Sequence, residues 1–213
     1  TEVVKVLVAA GANLEATWAG RTALILAAEK GDTEVVKVLV AAGANLEAKD
    51  NVGDTALKKA EKEGRTQTAA VLRELAERKI EEMGEQLRSA ARGNDVKKAK
   101  AILSSSSNKT AVLASTDKDG DTALHKAAGH NAVGVAQLLV EQGANLEARN
   151  YGHTPLTWAA YGGRTEVVKV LLAAGANLEA KGKGGDTALK WVGNNGDTAL
   201  HKGADNNAVG VAQ

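Results

Sequence analysis

The amino-acid sequence predicts an all-α solenoid of stacked helix-turn-helix units with projecting hairpin loops. Three observations carry that prediction. The hexapeptide Gly-Ala-Asn-Leu-Glu-Ala begins at residues 11, 43, 143 and 175, so its copies lie 32 residues apart within each pair. The heptapeptide Thr-Glu-Val-Val-Lys-Val-Leu begins at Thr1 and Thr33 and again at Thr165, and a Thr-Ala-Leu or Thr-Pro-Leu tripeptide begins at Thr22, Thr55, Thr122, Thr154, Thr187 and Thr198. Phe is absent, with 3 Trp and 2 Tyr, so the core must be packed from Ala, Val and Leu instead of aromatic bulk. A fixed period between about 20 and 50 residues marks a chain built from one supersecondary unit.

Each period parses into two short helices and a turn. The first helix begins at a Thr N-cap and sets Leu24, Ala27 and Ala28 on one face. Gly31 supplies a left-handed stop. The second helix carries Val35, Val36, Val38 and Leu39 as a one-sided stripe, and Gly43 closes it. Asn45-Leu46-Glu47-Ala48 then leads into a polar tip, Lys49-Asp50-Asn51-Val52-Gly53-Asp54. Two helices of this length cannot bury their apolar faces alone. They become stable when neighbours stack, and the small alanines let adjacent helices approach closely.

These residues carry a family resemblance. Gly53-Asp54-Thr55-Ala56-Leu57, the variants Thr122-Ala123-Leu124-His125-Lys126-Ala127-Ala128 and Thr154-Pro155-Leu156-Thr157-Trp158-Ala159-Ala160, and the Gly-Ala-Asn-Leu closings resemble ankyrin repeats. The resemblance covers nearly the whole chain. It implies an L-shaped stack with hairpin tips at right angles to the helices. It also implies a concave surface, made by tips and first helices, that binds other proteins. For His125 and His201, in the Thr-Ala-Leu-His position, it implies hydrogen bonds to neighbouring backbone.

The array is interrupted. Residues 57–82 crowd charged side chains such as Glu61, Lys62, Glu63, Arg73 and Glu74 opposite Val71, Leu72 and Leu75. A polar outer face is what a terminal repeat needs to end a stack in water. From Met83 the sequence reads as the charged opening of a fresh stack, which divides the chain into domains 1–82 and 83–213, with a short link near 79–82. At the amino end Thr1 opens directly on a second helix. At the other end Gln213 aligns with Gln137, in the middle of one. Thr187 and Thr198 are too close for two whole repeats, which marks a compressed or displaced register in residues 181–213.

Composition narrows the function further. Lys and Arg number 27 against 26 Asp and Glu, a net charge of +1 that favours neither nucleic acid nor an anionic membrane. Cysteine is absent, which removes disulfides, thiolate metal sites and a cysteine nucleophile. No apolar run reaches the roughly 20 residues of a membrane-spanning helix, and the first residues form no signal peptide. An intracellular, cytoplasmic setting is the expectation.

Catalytic motifs are not evident. Asp117-Lys118-Asp119-Gly120-Asp121 begins like a calcium loop, but its Gly is misplaced and no bidentate Glu follows, so it reads as a polar tip. Gly182-Lys183-Gly184-Gly185 lacks the spacing of a phosphate loop. His130 and His153 fall at a helix end and a tip, without the further ligands a zinc site needs. Ser104 to Ser107 have no base to activate them and read as a loop. No enzyme activity, cofactor or metal is expected.

The aromatic residues point to recognition. Trp18 and Tyr151 fall in hairpin tips. Trp158 and Trp191 follow the His-equivalent position of the first helix, Tyr161 lies near that helix's end, and Leu26 occupies the position of Trp158 in an earlier repeat. All five aromatics align toward one surface, and Trp and Tyr dominate binding hot spots because they bury much area at little rotamer cost. A competing role for Trp at this helix position is packing against the next repeat. The leading expectation is a non-enzymatic scaffold that binds a protein through Trp18, Leu26, Tyr151, Trp158, Tyr161 and Trp191. Two alternatives stay open. One is head-to-tail self-assembly through apolar faces at Val3, Val4, Val6 and Leu7 and around Val209 and Val211. The other is the adaptor portion of a larger enzyme.

Overall fold

A computed structural model of the chain describes residues 1–182, 185 and 187–190. The chain divides into two compact units, Thr1–Lys79 and a second beginning at Ile80. Trp191, His201, Thr198, Val209 and Val211, and the centre of the Gly182–Gly185 motif, lie outside the described residues.

Unit 1 runs α1 (Glu2–Ala9), β1 (Thr17–Trp18), β2 (Arg21–Thr22), α2 (Ala23–Lys30), α3 (Thr33–Ala41) and α4 (Ala56–Lys62), and ends in the first part of α5 (Thr66–Arg92). First helices α2 and α4 pack on one another, and α3 packs on both α2 and α1. The core is built as the pattern predicts. Leu24, Ile25, Ala27 and Ala28 of α2 meet Val36 and Leu39 of α3 and Ala56 and Ala60 of α4. Thr22 and Thr55 cap their helices by accepting from the Ile25 and Lys58 amides. Gly31 ends α2 at φ 82°, the left-handed stop read from the sequence.

Unit 2 takes the rest of α5, then α6 (Val96–Ser105), α7 (Lys109–Ala114), α8 (Ala123–Gly129), α9 (Val133–Glu141), α10 (Pro155–Tyr161) and α11 (Thr165–Ala173). First helices α8 and α10 form one layer, second helices α9 and α11 the other. Leu124, Leu139, Leu156 and Leu171 are each at most 1% exposed in the seam between them. Thr122 and Thr154 supply the N-caps.

Two details differ from the sequence reading. Residues 79–82, expected to be a link, lie inside the single 27-residue helix α5. Glu77, Arg78, Lys79, Glu81 and Glu82 are good helix formers, and no proline intervenes to stop propagation. Ser104 and Ser105, expected in a loop, form the last turn of α6, where the Ser105 hydroxyl donates to the Ile102 carbonyl at 3.0 Å.

The structure also gives a purpose to residues the sequence reading passed over. In every Gly-Ala-Asn-Leu-Glu-Ala copy the Asn side chain accepts from the amide two residues on. The following Glu reaches the next repeat: Glu15 accepts from the Asn45 amide and Glu147 from the Asn177 amide, both at 2.8 Å. Arg65 and Arg164 tie back the other way, donating to the Glu29 and Gly129 carbonyls at 3.1 and 3.3 Å. Each such bond contributes about 1 kcal/mol net, and together they fix the spacing on which the tips depend. Arg88, buried in unit 2, is satisfied by Glu85 and by the Ser115 hydroxyl. Ser115 comes so close that any side chain at Gly84 would collide with it.

Candidate protein-binding site

Tip length decides tip geometry. Six residues separate Ala48 from Thr55, but only five separate Ala16 from Thr22 and Ala148 from Thr154. In the longer tips an aspartate organises the turn. Asp50 accepts from the Val52 and Asp54 amides, and Asp117 from the Asp119 and Asp121 amides, all within 3.0 Å. The shorter tips close as two-residue hairpins with both central residues at positive φ, the pairing that matches the twist of the flanking strands. These are Ala19 and Gly20 (51° and 76°) and Tyr151 and Gly152 (47° and 87°).

Tyr151 is the unusual member. Left-handed backbone suits Gly or Asn at this position and costs a bulky residue on the order of 1–2 kcal/mol. Its ring is 67% exposed, so no burial offsets that cost. The hairpin around it is well anchored. Asn150 and His153 exchange backbone hydrogen bonds of 2.9 and 2.8 Å. The Asn150 side-chain amide donates to the Asp121 carboxylate of the preceding tip, and the Arg149 guanidinium donates to the Gly152 carbonyl at 2.9 Å.

His125 braces the same hairpin from below. Its Nδ1 accepts from the Thr122 amide, completing the cap of α8, and its Nε2 lies 3.2 Å from the His153 carbonyl. This is the backbone-bonding role implied by the family resemblance. One nitrogen accepting and the other donating requires the neutral ring. Burial depresses the His125 pKa below its ordinary 6.5, against the opposing pull of the His153 carbonyl, the Asp121 carboxylate and the Ala148 backbone, while Lys126 adds to the depression. The folded state therefore binds fewer protons than the unfolded one just below pH 6.5. This contribution to stability is fully present above that value and is lost as pH falls through the depressed one. Urea midpoints of unit 2 should drop between pH 7.5 and 5, and His125→Gln should flatten that dependence. The aspartates act lower. Lys58 and Lys62 hold Asp54 at about 2. Burial pushes Asp117 up, but Lys126 and the Asp121 and Asp119 amides outweigh it and hold it at about 2.

Next to the hairpin, α10 presents the aromatic residues. Thr154 caps it and Pro155 occupies its first turn. Trp158 is half-buried, with one side against the core of unit 2. Its ring meets His153 at 5.9 Å and 66°, and Tyr161 at 6.1 Å and 89°, both edge-to-face. His153, Thr157, Trp158 and Tyr161 line a cavity of about 260 Å³. The indole Nε1 is buried without an acceptor among the described residues. An unmet donor costs roughly 1–3 kcal/mol, so Trp158 is not the residue that folding alone would choose there.

The expected site residues therefore separate. Tyr151, Trp158 and Tyr161 lie in one hairpin and its following helix, in unit 2. Trp18 and Leu26 belong to unit 1. Trp18 is 69% exposed on β1, with the Arg21 guanidinium 5.8 Å from its ring centroid, and Leu26 is half-buried on α2. His153 and Thr157 were not singled out as binding residues. Their signal was the five-residue tip, which draws the residue before Thr154 toward α10. Among the described residues no cluster of three or more His, Asp or Glu could hold a metal, and no helix is long and apolar enough to cross a membrane.

The family described as ankyrin repeats (3 copies) matches residues 1–82 and 87–182. No curated protein matches the chain.

Proposed function

The chain belongs to the ankyrin-repeat family, and from that premise we propose that it is a non-enzymatic scaffold that grips a protein partner with Tyr151, Trp158 and Tyr161 of unit 2. Ankyrin repeats serve generally as protein-protein interaction modules. The observation that supports the finer reading is the aromatic cluster beside a strained tip. Two rings meet Trp158 edge-to-face around an open cavity, and Tyr151 occupies left-handed backbone with its ring in solvent. A stiff stack holds these groups in place, so little ordering entropy is lost on binding. Tyr151→Asn separates function from stability. It should raise the stability of unit 2 by about 0.5–1 kcal/mol through relief of the backbone, while weakening partner capture. Affinity purification with wild type and with a Tyr151/Trp158/Tyr161 triple alanine variant tests the site. A prey set identical for both proteins would exclude it.

A second reading rests on α1. Val3, Val6 and Leu7 are 72%, 67% and 54% exposed, whereas the same heptapeptide in α11 has Val167 and Leu171 at 0%. A second copy stacking head to tail would cover such a face, and contacts of that kind that do not close give filaments. Size-exclusion chromatography with light scattering decides it: a concentration-independent monomer rules assembly out.

A further inference from the structure

We propose that the cavity beside Trp158 receives an apolar side chain of a partner protein segment, and that Arg149 binds a carboxylate next to that side chain in the same segment. The inference rests on the binding role given above to Trp158 and Tyr161, and adds the chemistry of what they hold.

Among the described residues the walls are mostly aromatic and favour an apolar occupant. Two are the rings of Trp158 and Tyr161, set edge-to-face, and a third is His153. The fourth, Thr157, has its hydroxyl committed to the Thr154 carbonyl at 2.7 Å, which leaves it little to offer a polar ligand. A volume of about 260 Å³ has room for one large aliphatic or aromatic side chain, not for a folded element. Among the described residues no carboxylate lines the cavity, so a cationic occupant would lose its hydration without gaining a counter-ion from them.

Arg149 supplies the charge. It is exposed, and its Nη1 donates to two neutral carbonyls, those of Gly152 at 2.9 Å and Lys181 at 2.5 Å. Gly152 directly precedes His153, so these bonds hold the guanidinium on the hairpin that supplies His153 to the cavity. Nε and Nη2 remain available for a carboxylate. Among the described residues Arg149 has no acidic partner, and the exposed Lys181 adds a second positive charge at the next tip. The preceding repeat is different: Lys126, at the position of Trp158, is neutralised by Asp117 and Asp121. Among the described residues the positive charge of Arg149 is uncompensated, and it belongs to the hairpin that carries His153, so an acidic residue flanking an apolar anchor is complementary to it.

Selection of peptides from a random dodecamer phage library on the full chain, counter-selected on Tyr161→Ala, tests the idea. Tyr161 is 42% exposed, so that variant leaves the core intact. Recovered peptides should carry Leu, Ile, Met, Phe or Trp with Asp or Glu within a few positions. Arg149→Gln keeps hydrogen-bond donors but removes the charge. It should weaken such a peptide about fivefold and leave the Asp→Asn or Glu→Gln version of that peptide unchanged. Peptides that need Tyr161 but show no acidic preference, are enriched in Lys or Arg, or ignore Arg149→Gln would overturn the proposal and leave the binding site standing. Recovery of no peptide that discriminates against Tyr161→Ala would overturn both.

Discussion

Leu171→Ala should destabilise unit 2 by about 3 kcal/mol, and Leu7→Ala, at the same place in the same heptapeptide, should cost unit 1 less than about 1 kcal/mol. Leu171 is 0% exposed in the core of unit 2, and truncation there leaves a cavity that the close-packed leucines, valines and alanines around it cannot relax to fill completely. Leu7 is 54% exposed on α1, so truncation removes contacts on one side only. Urea titrations followed by amide exchange in α9–α11 and in α1–α3 would measure both in their own units. Equal effects would mean that α1 is covered in solution, which would favour the self-associating reading over a lone scaffold.

Trp158→Ala should weaken partner binding by about 2 kcal/mol, close to thirtyfold. The structure adds a consequence that sequence alone does not give. Because Trp158 also packs on the core of unit 2, its truncation should lower stability as well. Tyr161→Ala is the cleaner probe. It should cost affinity while changing stability by no more than about 0.5 kcal/mol, since the ring is 42% exposed at the end of α10. Trp158→Phe distinguishes the roles further. It removes the unmet indole donor, so folding should be unharmed or slightly improved even as contact area with a partner is lost. If Trp158→Ala lowered stability with affinity unchanged, the residue would belong to packing between repeats and the binding surface would lie elsewhere.

Much of the scaffold was legible because its signals are local. Thr accepting from the amide three residues on, Gly31 in left-handed backbone and the stripe through Val36 and Leu39 each depend on residues within about one turn. The alanines of the first helices imply close stacking in the same way. The uninterrupted α5 was harder to foresee, since a change from capping to opening composition looks like a boundary. Helix propagation responds to backbone propensity and not to the change in face. The Glu15 and Glu147 ties were hidden for a different reason. Their acceptor role appears only when a residue 30 positions later is brought alongside.

The sequence by itself determined that this protein is a stack of ankyrin repeats, because period, caps and stops repeat often enough to specify each unit without reference to the rest. Only the tertiary structure decided which copies of one heptapeptide are buried. It also decided that Tyr161 and His153 both meet Trp158, and that Arg149 has no counter-charge among the described residues. Those properties arise from neighbours contributed by other repeats or by the far side of a hairpin. Burial and electrostatic pairing are sums over surroundings, and a linear pattern does not contain its surroundings.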